Sequence, residues 1–342
     1  MLRRTRLAWR LAGMVVVVLG LAGCGGGLDA NAPAAPSASG GGSGDACAAD
    51  AISVGPQLAD LQAAVDGARP GDVLALAETT YTGTLEITRS GTEAAPIVLC
   101  GSEDSVIEGG ATDGGYVLHL RGASHWRLEG FRITNGGKGI VLDDSNHNEI
   151  TGIEVSRIGD EGIHLRAHSS DNVVEGNTIS ATGLRTPEFG EGIYVGSAES
   201  NWCEYTGCEP DRSDRNTIRG NTIVDTTAEA IDIKEGTTGG RLVGNALTGS
   251  DRAVVDSLID LKGAQWEVSG NTLTSTRGDG ASIHVIVPGW GAQNVLGGNV
   301  IAVPDDRLGI EVVGDARAAG NIVRCDNATP AGARVSSNVS CR

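Results

Sequence analysis

Short stretches in which apolar and polar residues alternate recur along most of the chain, separated by glycine and asparagine. The block Gly-Asn-x-apolar stands at Gly176, Gly220, Gly244, Gly270, Gly298 and Gly320, with degenerate copies at Gly130 and Gly152. Successive glycines lie 22, 24, 44, 24, 26, 28 and 22 residues apart, so the widest interval holds one more unit plus an insertion of about twenty residues. A second series runs between these blocks: GIVL at Gly139, GIHL at Gly162, GIYV at Gly192, AIDI at Ala230, LIDL at Leu258, SIHV at Ser282 and GIEV at Gly309. Alternation with period two predicts strands, and two or more strands in each unit of a fixed period predict a solenoid. One segment differs. LADLQAAVDG, Leu58 to Gly67, places Leu58, Leu61, Ala64 and Val65 on one helical face and stops before a Pro-Gly turn, which predicts a helix.

The leucine framework and helical half of a leucine-rich repeat are absent. Beyond about Ala51 the pattern resembles the right-handed parallel β-helix proteins of the pectate-lyase superfamily. The resemblance implies an all-β fold: a single right-handed parallel β-helix over residues 47–342, opened by a capping helix, with an insertion at 184–215. Equivalent residues then stack about 4.8 Å apart along the axis. On that register Ile163, Ile193, Ile231, Ile259 and Ile283 form one core column. The asparagines stack at turns and satisfy backbone groups there: Asn177, Asn221, Asn245, Asn271, Asn299 and Asn321 in one set, Asn148, Asn172, Asn216 and Asn294 in another.

Strand alternation assigns the outward residues. One column reads His164, Tyr194, Asp232, Asp260, His284 and Glu311, and the next reads Arg166, Gly196, Lys234, Lys262, Ile286 and Val313, with Glu161, Glu191 and Glu229 on the approach. The chain has only three lysines, and two of them follow aspartates in the matching stretches AIDIKEG and LIDLKGA. Surface ion pairs are worth about 0–1 kcal/mol each, and like charges directly opposite in a sheet repel. Aspartate stacked on aspartate and lysine on lysine therefore points to a ligand-completed site. Aromatic residues of the insertion, Tyr194 and Trp202 among them, would stack on sugar rings, with His164 and His284 beside them. Gly196 would leave a gap for a ring substituent.

Members of the superfamily that act on acidic polysaccharides commonly use β-elimination. The resemblance implies that Lys234, Lys262 or Arg166 removes a proton from the substrate, and stacked ammonium groups would lower one lysine's pKa. Asp232, Asp260, Glu229 and Glu191 would bind calcium through oxygen. An arginine-rich signature after the acidic cluster is missing. Two other readings use the same face: a glycoside hydrolase with Asp232 and Asp260 as its carboxylate pair, and a non-catalytic glycan-binding module. No phosphate-binding loop is present.

The N-terminus carries Arg3, Arg4, Arg6 and Arg10 before an apolar run, Leu11 to Leu21, and then LAGC. This resembles a bacterial lipoprotein signal: 1–23 would be removed, Cys24 lipidated, and 24–46, rich in Gly, Ala, Ser and Pro, would be a flexible tether to the outer membrane. The formal net charge is −17, and loss of the signal's four arginines makes it −21. Nucleic acid and anionic lipid are poor partners for such a field, so the expected partners are a polysaccharide and, through the lipid alone, a membrane. Nothing in the pattern asks for a second subunit. Besides Cys24 there are six cysteines, an even number that predicts disulfides in an exported chain. Proximity pairs Cys203 with Cys208 and Cys325 with Cys341, which leaves Cys47 for Cys100.

Overall fold

The computed structural model describes residues 47–342; the signal, Cys24 and the tether lie outside the described residues. Three parallel sheets of eleven, nine and nine strands wind into a right-handed β-helix. Neighbouring strands in a sheet come from successive coils. The sheet that carries the lysines is built from Leu85–Ile87, Tyr116–Arg121, Lys138–Asp143, Ile163–Arg166, Ile193–Val195, Ile231–Ile233, Ser257–Leu261, Asp279–Ile283 and Ile310–Val312. Its core column runs Ile163, Ile193, Ile231, Ile259 in direct register, and each of these side chains is fully buried.

The column does not continue to Ile283 as expected. Ala281 pairs with Ile259, and Ile283 pairs with Leu261 two positions on. The true equivalent of Gly139, Gly162 and Gly192 is Gly280, because a Cβ at any of these four would fall 2.5–2.9 Å from a buried Val or Ile methyl of the adjoining sheet. Ala281 is a weaker apolar signal than Ile283, so the sequence motif slides by two residues. A slip of two keeps the parity. Ile283 stays inside, but the outward residues change columns: Ser282 stacks on Asp260, and His284 rather than Ile286 follows Lys262.

Two asparagine ladders brace the turns. In one, the side-chain amide of each residue donates to the Oδ1 of the next: Asn177 to Asn221 (3.0 Å), Asn221 to Asn245 (3.0 Å), Asn245 to Asn271 (2.9 Å), Asn271 to Asn299 (3.0 Å) and Asn299 to Asn327 (2.8 Å). The backbone N–H of each donates to the same oxygen. Asn148, Asn172 and Asn216 form the second ladder. Asn321 belongs with this second set and not with the first, since its Oδ1 receives the Asn294 N–H. Its Gly-Asn pair precedes a strand of the eleven-stranded sheet, not of the sheet that the other Gly-Asn blocks enter.

The helix forms at Leu58–Gly67 and buries Leu61 and Val65. It covers the end of the lysine-bearing sheet: Gln62 donates to the Glu86 carbonyl at 2.8 Å and accepts its N–H at 3.1 Å, which imitates the missing strand at an otherwise open edge. At the other end the tail itself is the cap. Ser336 O accepts the Ile310 N–H, Asn338 Oδ1 accepts that of Val312, and Val335 is buried. Cys325–Cys341 closes this tail, and Cys47–Cys100 and Cys203–Cys208 complete the expected pairing.

Replacing Asn245 by Ala leaves the Asn221 backbone N–H and one of its two amide N–H groups without an acceptor, the other keeping Val174 O, at about 1–3 kcal/mol each. We expect urea unfolding to show at least about 2 kcal/mol lost, against less than about 0.5 kcal/mol for the exposed Thr272→Ala.

Candidate active-site cleft

The outer face of the lysine-bearing sheet is a grid of three columns. The first is Tyr116, Lys138, Glu161, Glu191, Glu229, Ser257 and Asp279; the second is His119, Val141, His164, Tyr194, Asp232, Asp260, Ser282 and Glu311. The third runs Arg121, Asp143, Arg166, Gly196, Lys234, Lys262, His284 and Val313. Each coil thus presents a triplet. Four consecutive triplets carry the predicted chemistry: Glu161-His164-Arg166, Glu191-Tyr194-Gly196, Glu229-Asp232-Lys234 and Ser257-Asp260-Lys262.

Stacking like on like is resolved by interleaving. Asp232 Oδ2 lies 2.7 Å from Lys234 Nζ, its Oδ1 lies 3.0 Å from Lys262 Nζ, and Lys262 also reaches Asp260 Oδ2 at 2.5 Å. Burial opposes charge on both lysines, yet the attraction of Asp232 outweighs it and raises their pKa values. The expectation of a lysine neutral near pH 7 is therefore corrected for the free site: the repulsion between the ammonium groups is present but smaller than the pull of the carboxylate between them. Burial likewise opposes ionisation of Asp232, and the two lysines override it and lower its pKa. Asp260 goes the other way, raised by burial and by Asp232. Its Oδ1 has no partner and faces His284 Nε2 at 3.8 Å, which has none either.

Glu191, Glu229 and Asp232 converge, with one oxygen of each within 4.8 Å of the others, the one such grouping of three or more ligand-type side chains among the described residues. Asp260, expected as a fourth ligand, is outside it because its register position lies one coil further and Lys262 binds it. Burial and the surrounding carboxylates push Glu191 well above its ordinary pKa and Glu229 up to about 7. Oxygen donors alone, one of them (Glu191 Oε2) unpartnered, fit a hard cation such as calcium.

Arg166 is committed elsewhere. Its Nε meets Asp143 at 2.6 Å, its Nη2 donates to the Tyr116 hydroxyl at 2.8 Å, and its guanidinium lies 4.2 Å from the Tyr205 ring centre. These bonds overcome its burial and raise its pKa, so it positions neighbours and is no base. The insertion is two loops around the regular strand Ile193–Val195, and not one block. Asp211 pins the second loop, accepting from the Ala167 and His168 N–H groups and from the Ser197 and Ser213 hydroxyls. That docking buries Trp202, whose Nε1–H donates to Ser197 O and whose ring meets Trp290 at 6.0 Å. Trp202 is thus no sugar platform; Phe189, 56% exposed, and Tyr205 are the aromatic groups at the rim. The expected gap at Gly196 is closed, since a Cβ there would meet Thr237 at 2.6 Å, and its φ of +82° calls for glycine. Over this region lies a cleft of about 310 Å³ bordered by Glu161, His164, Glu191, Tyr194 and Phe189. Sequence reasoning missed Lys138, Asp160 and Arg185 at its wall; the lone remaining lysine in register with Glu161 was the available signal.

The raised carboxyls set a sign for pH. Unfolded Glu191 and Glu229 lose protons near the ordinary glutamate pKa of about 4.3, while the folded pair holds them higher, so stability in chelator falls as pH rises from there through about 7. Below that window the lowered Glu161 and Asp143 act oppositely, and stability falls as pH drops. Thermal unfolding across pH 4–8 should show the upper decline, and Glu229→Gln should flatten it.

Comparison with known proteins agrees with the fold and narrows the relationship. The profile of the family described as periplasmic copper-binding protein (NosD) matches residues 77–283. The crystal structure of an alginate lyase from Paenibacillus sp. str. FPU-7 is 35% identical, superposes with a TM-score of 0.71, and is matched over 84% of this chain and 99% of its own. Pectate lyase PEL9 of Emericella nidulans is 33% identical over 135 residues, 34% of this chain and about a third of that protein's length (33%). The crystal structure of pectate lyase Pel9A shares the fold at 15% identity, with a TM-score of 0.54 over 82% of this chain and 72% of its own. The oxygen-only cluster does not match the imidazole and thiolate donors that suit copper. With its profile match over residues 77–283 and the solved lyase matched almost end to end, the chain belongs to the NosD family of right-handed parallel β-helix proteins.

Proposed function

We propose that this protein is a polysaccharide lyase that cleaves a uronate polymer, alginate first among the candidates, by β-elimination at Tyr194, Asp232, Lys234 and Lys262, on the face that adjoins the cleft. The observation that carries the reading is the alginate lyase matched over 99% of its length at 35% identity, together with paired lysines on a buried carboxylate beside a sugar-sized cleft.

The two ammonium groups suit a substrate carboxylate, whose neutralisation makes the C5 proton removable. Lys262 keeps its charge on the substrate carboxylate, while Lys234, its hold on Asp232 loosened, first releases its own proton to solvent and as the neutral amine takes the C5 proton; the C4–O4 bond breaks as the C4–C5 double bond forms, and the leaving oxygen needs a proton. Tyr194 is the residue we assign to give it, a reading supported by burial and the Asp232 and Glu191 carboxylates, which raise its pKa and keep the phenol protonated, and by its ring centre lying 5.1 Å from Lys234 Nζ. Calcium held by Glu191, Glu229 and Asp232 would supply positive charge for the substrate carboxylate and weaken the pull of Asp232 on the lysines. A hydrolase acting through Asp232 and Asp260 is disfavoured, because both Asp232 oxygens are already taken by lysines.

Incubation with alginate and polygalacturonate, with and without chelator, should release unsaturated ends that absorb in the ultraviolet. Lys234→Ala and Tyr194→Phe should each lower turnover by about 10²–10⁴-fold while folding is retained. Reducing ends without ultraviolet absorbance would instead mean hydrolysis, and no product with retained binding would mean a glycan-binding module. Undiminished turnover in a Lys234→Ala, Lys262→Ala double variant would refute the lysine roles.

The same reading includes export and a lipid anchor on Cys24 in the outer membrane, supported by the LAGC stretch and the three disulfides. Cys24→Ala should move the protein from the membrane fraction to the soluble envelope fraction and abolish labelling by a fatty-acid probe.

A further inference from the structure

The formal net charge of −17 sets the whole protein against a polyanion, so a uronate polymer needs local cations whose donors are free. The cleft does not offer them. Its cations are each spent within the protein: Lys138 on Glu161 at 2.7 Å, Arg166 on Asp143 at 2.6 Å, and Arg185 on Asp160. Lys234 and Lys262, on the face beside it, are taken by Asp232 and by the reacting sugar.

Free guanidinium groups lie further along the same sheet. Three successive loops lead into the strands Ser257–Leu261, Asp279–Ile283 and Ile310–Val312, and each carries one arginine: Arg252, Arg277 and Arg307. Together they border a second cavity of about 620 Å³, which begins at Glu229 and includes the exposed Val254. Arg252 pairs with Asp225 at 2.9 Å. Arg277 gives an N–H to the Asp251 carbonyl and pairs with no carboxylate, and the Arg307 side chain has no partner among the described residues. Asp256 is the other acid on this border. The carboxylate column Glu161, Glu191, Glu229 gives way to Ser257 on the coil where these loops begin, so the cavity opens where the row of glutamates stops.

A guanidinium presents a planar fork of donors that fits a carboxylate with two parallel bonds. Successive coils rise about 4.8 Å, close to the advance of one sugar along an extended chain, so carboxylates on one polymer meet arginines of successive coils. Building on the lyase reading above, we propose that Arg277 and Arg307, with Arg252 beside them, form a carboxylate-binding site outside the cleft for a stretch of uronate polymer remote from the cleaved bond. Val254 offers that stretch an apolar contact. The site anchors the polymer without touching the reacting sugars, and its consequence is a preference for chains long enough to reach it.

The test compares KM for a uronate polymer and for a trisaccharide of the same sugar, in wild type and in an Arg277→Ala, Arg307→Ala double variant. Calorimetric binding of the polymer and of inorganic sulfate runs in parallel. Both side chains are exposed on loops, so the variant keeps its fold. It should raise KM for the polymer about tenfold relative to KM for the trisaccharide, the scale of a lost charge-assisted hydrogen bond, with kcat on the polymer kept. Cleavage by wild type with a polymer KM that the variant leaves unmoved overturns the site and spares the lyase reading. Equal weakening of polymer and trisaccharide also overturns it, because the arginines then act on the reacting sugar. Sulfate bound by wild type as tightly as the polymer, and lost in the variant, means a site for a free anion and overturns the polymer assignment. Neither cleavage nor binding of uronate polymers by wild type removes the lyase reading, and this site with it.

Discussion

In-register stacking of parallel coils is the constraint on which this molecule depends. Each residue lies about 4.8 Å from its equivalents above and below, so every position must tolerate its own kind as a neighbour. Isoleucine does so by packing, and the column Ile163, Ile193, Ile231, Ile259 shows it. Asparagine does so by hydrogen bonding, since its amide is both donor and acceptor and one Oδ1 receives two bonds from the next residue in the ladder. Charged residues meet the same geometry with no such complementarity within a column.

The outer face of the lysine-bearing sheet shows how that difficulty is met. Lysines one column across from the aspartates lean between them, so charges alternate in space although residues do not alternate in register. The arrangement brings Asp232 to nearly complete burial with both oxygens bonded. Glu191 and Glu229, one column to the other side, form no ion pair with a lysine, so burial and the neighbouring carboxylates oppose their ionisation. Their raised pKa values and the unpartnered Glu191 oxygen are two expressions of that imbalance. A solenoid can hold such a frustrated row because each coil is fixed by backbone ladders on both sides, independent of what its outward residues prefer.

The loops supply what the repeat cannot. A regular coil presents a shallow face, and depth comes from the two segments around Ile193–Val195, one bringing Phe189 to the rim and the other laying Tyr205 over Arg166. Asp211 accounts for the fixed position of the second, with four donors on one buried carboxylate. The cleft is therefore scaffolded by coils and walled by loops, the usual division between a rigid frame and its variable function.

How much was legible follows from the range of each signal. The solenoid, the helix at Leu58–Gly67, the stacked isoleucines and the lysine–aspartate columns are set by local alternation and period, which the chain carries on its face. The three disulfides followed from proximity and remainder. The place of Ile283 did not, because a slip of two residues preserves every inward and outward assignment and only contact with the adjoining sheet, at Gly280, decides it. Whether Trp202 faced sugar or core, and whether Arg166 was free or held by Asp143 and Tyr116, depended on loop docking and on residues up to 50 positions away. The charge state of the lysines was likewise open to sequence reasoning only in its repulsive half. Their attraction to Asp232 requires knowing that both side chains bend towards one carboxylate, and that is a property of the folded face alone.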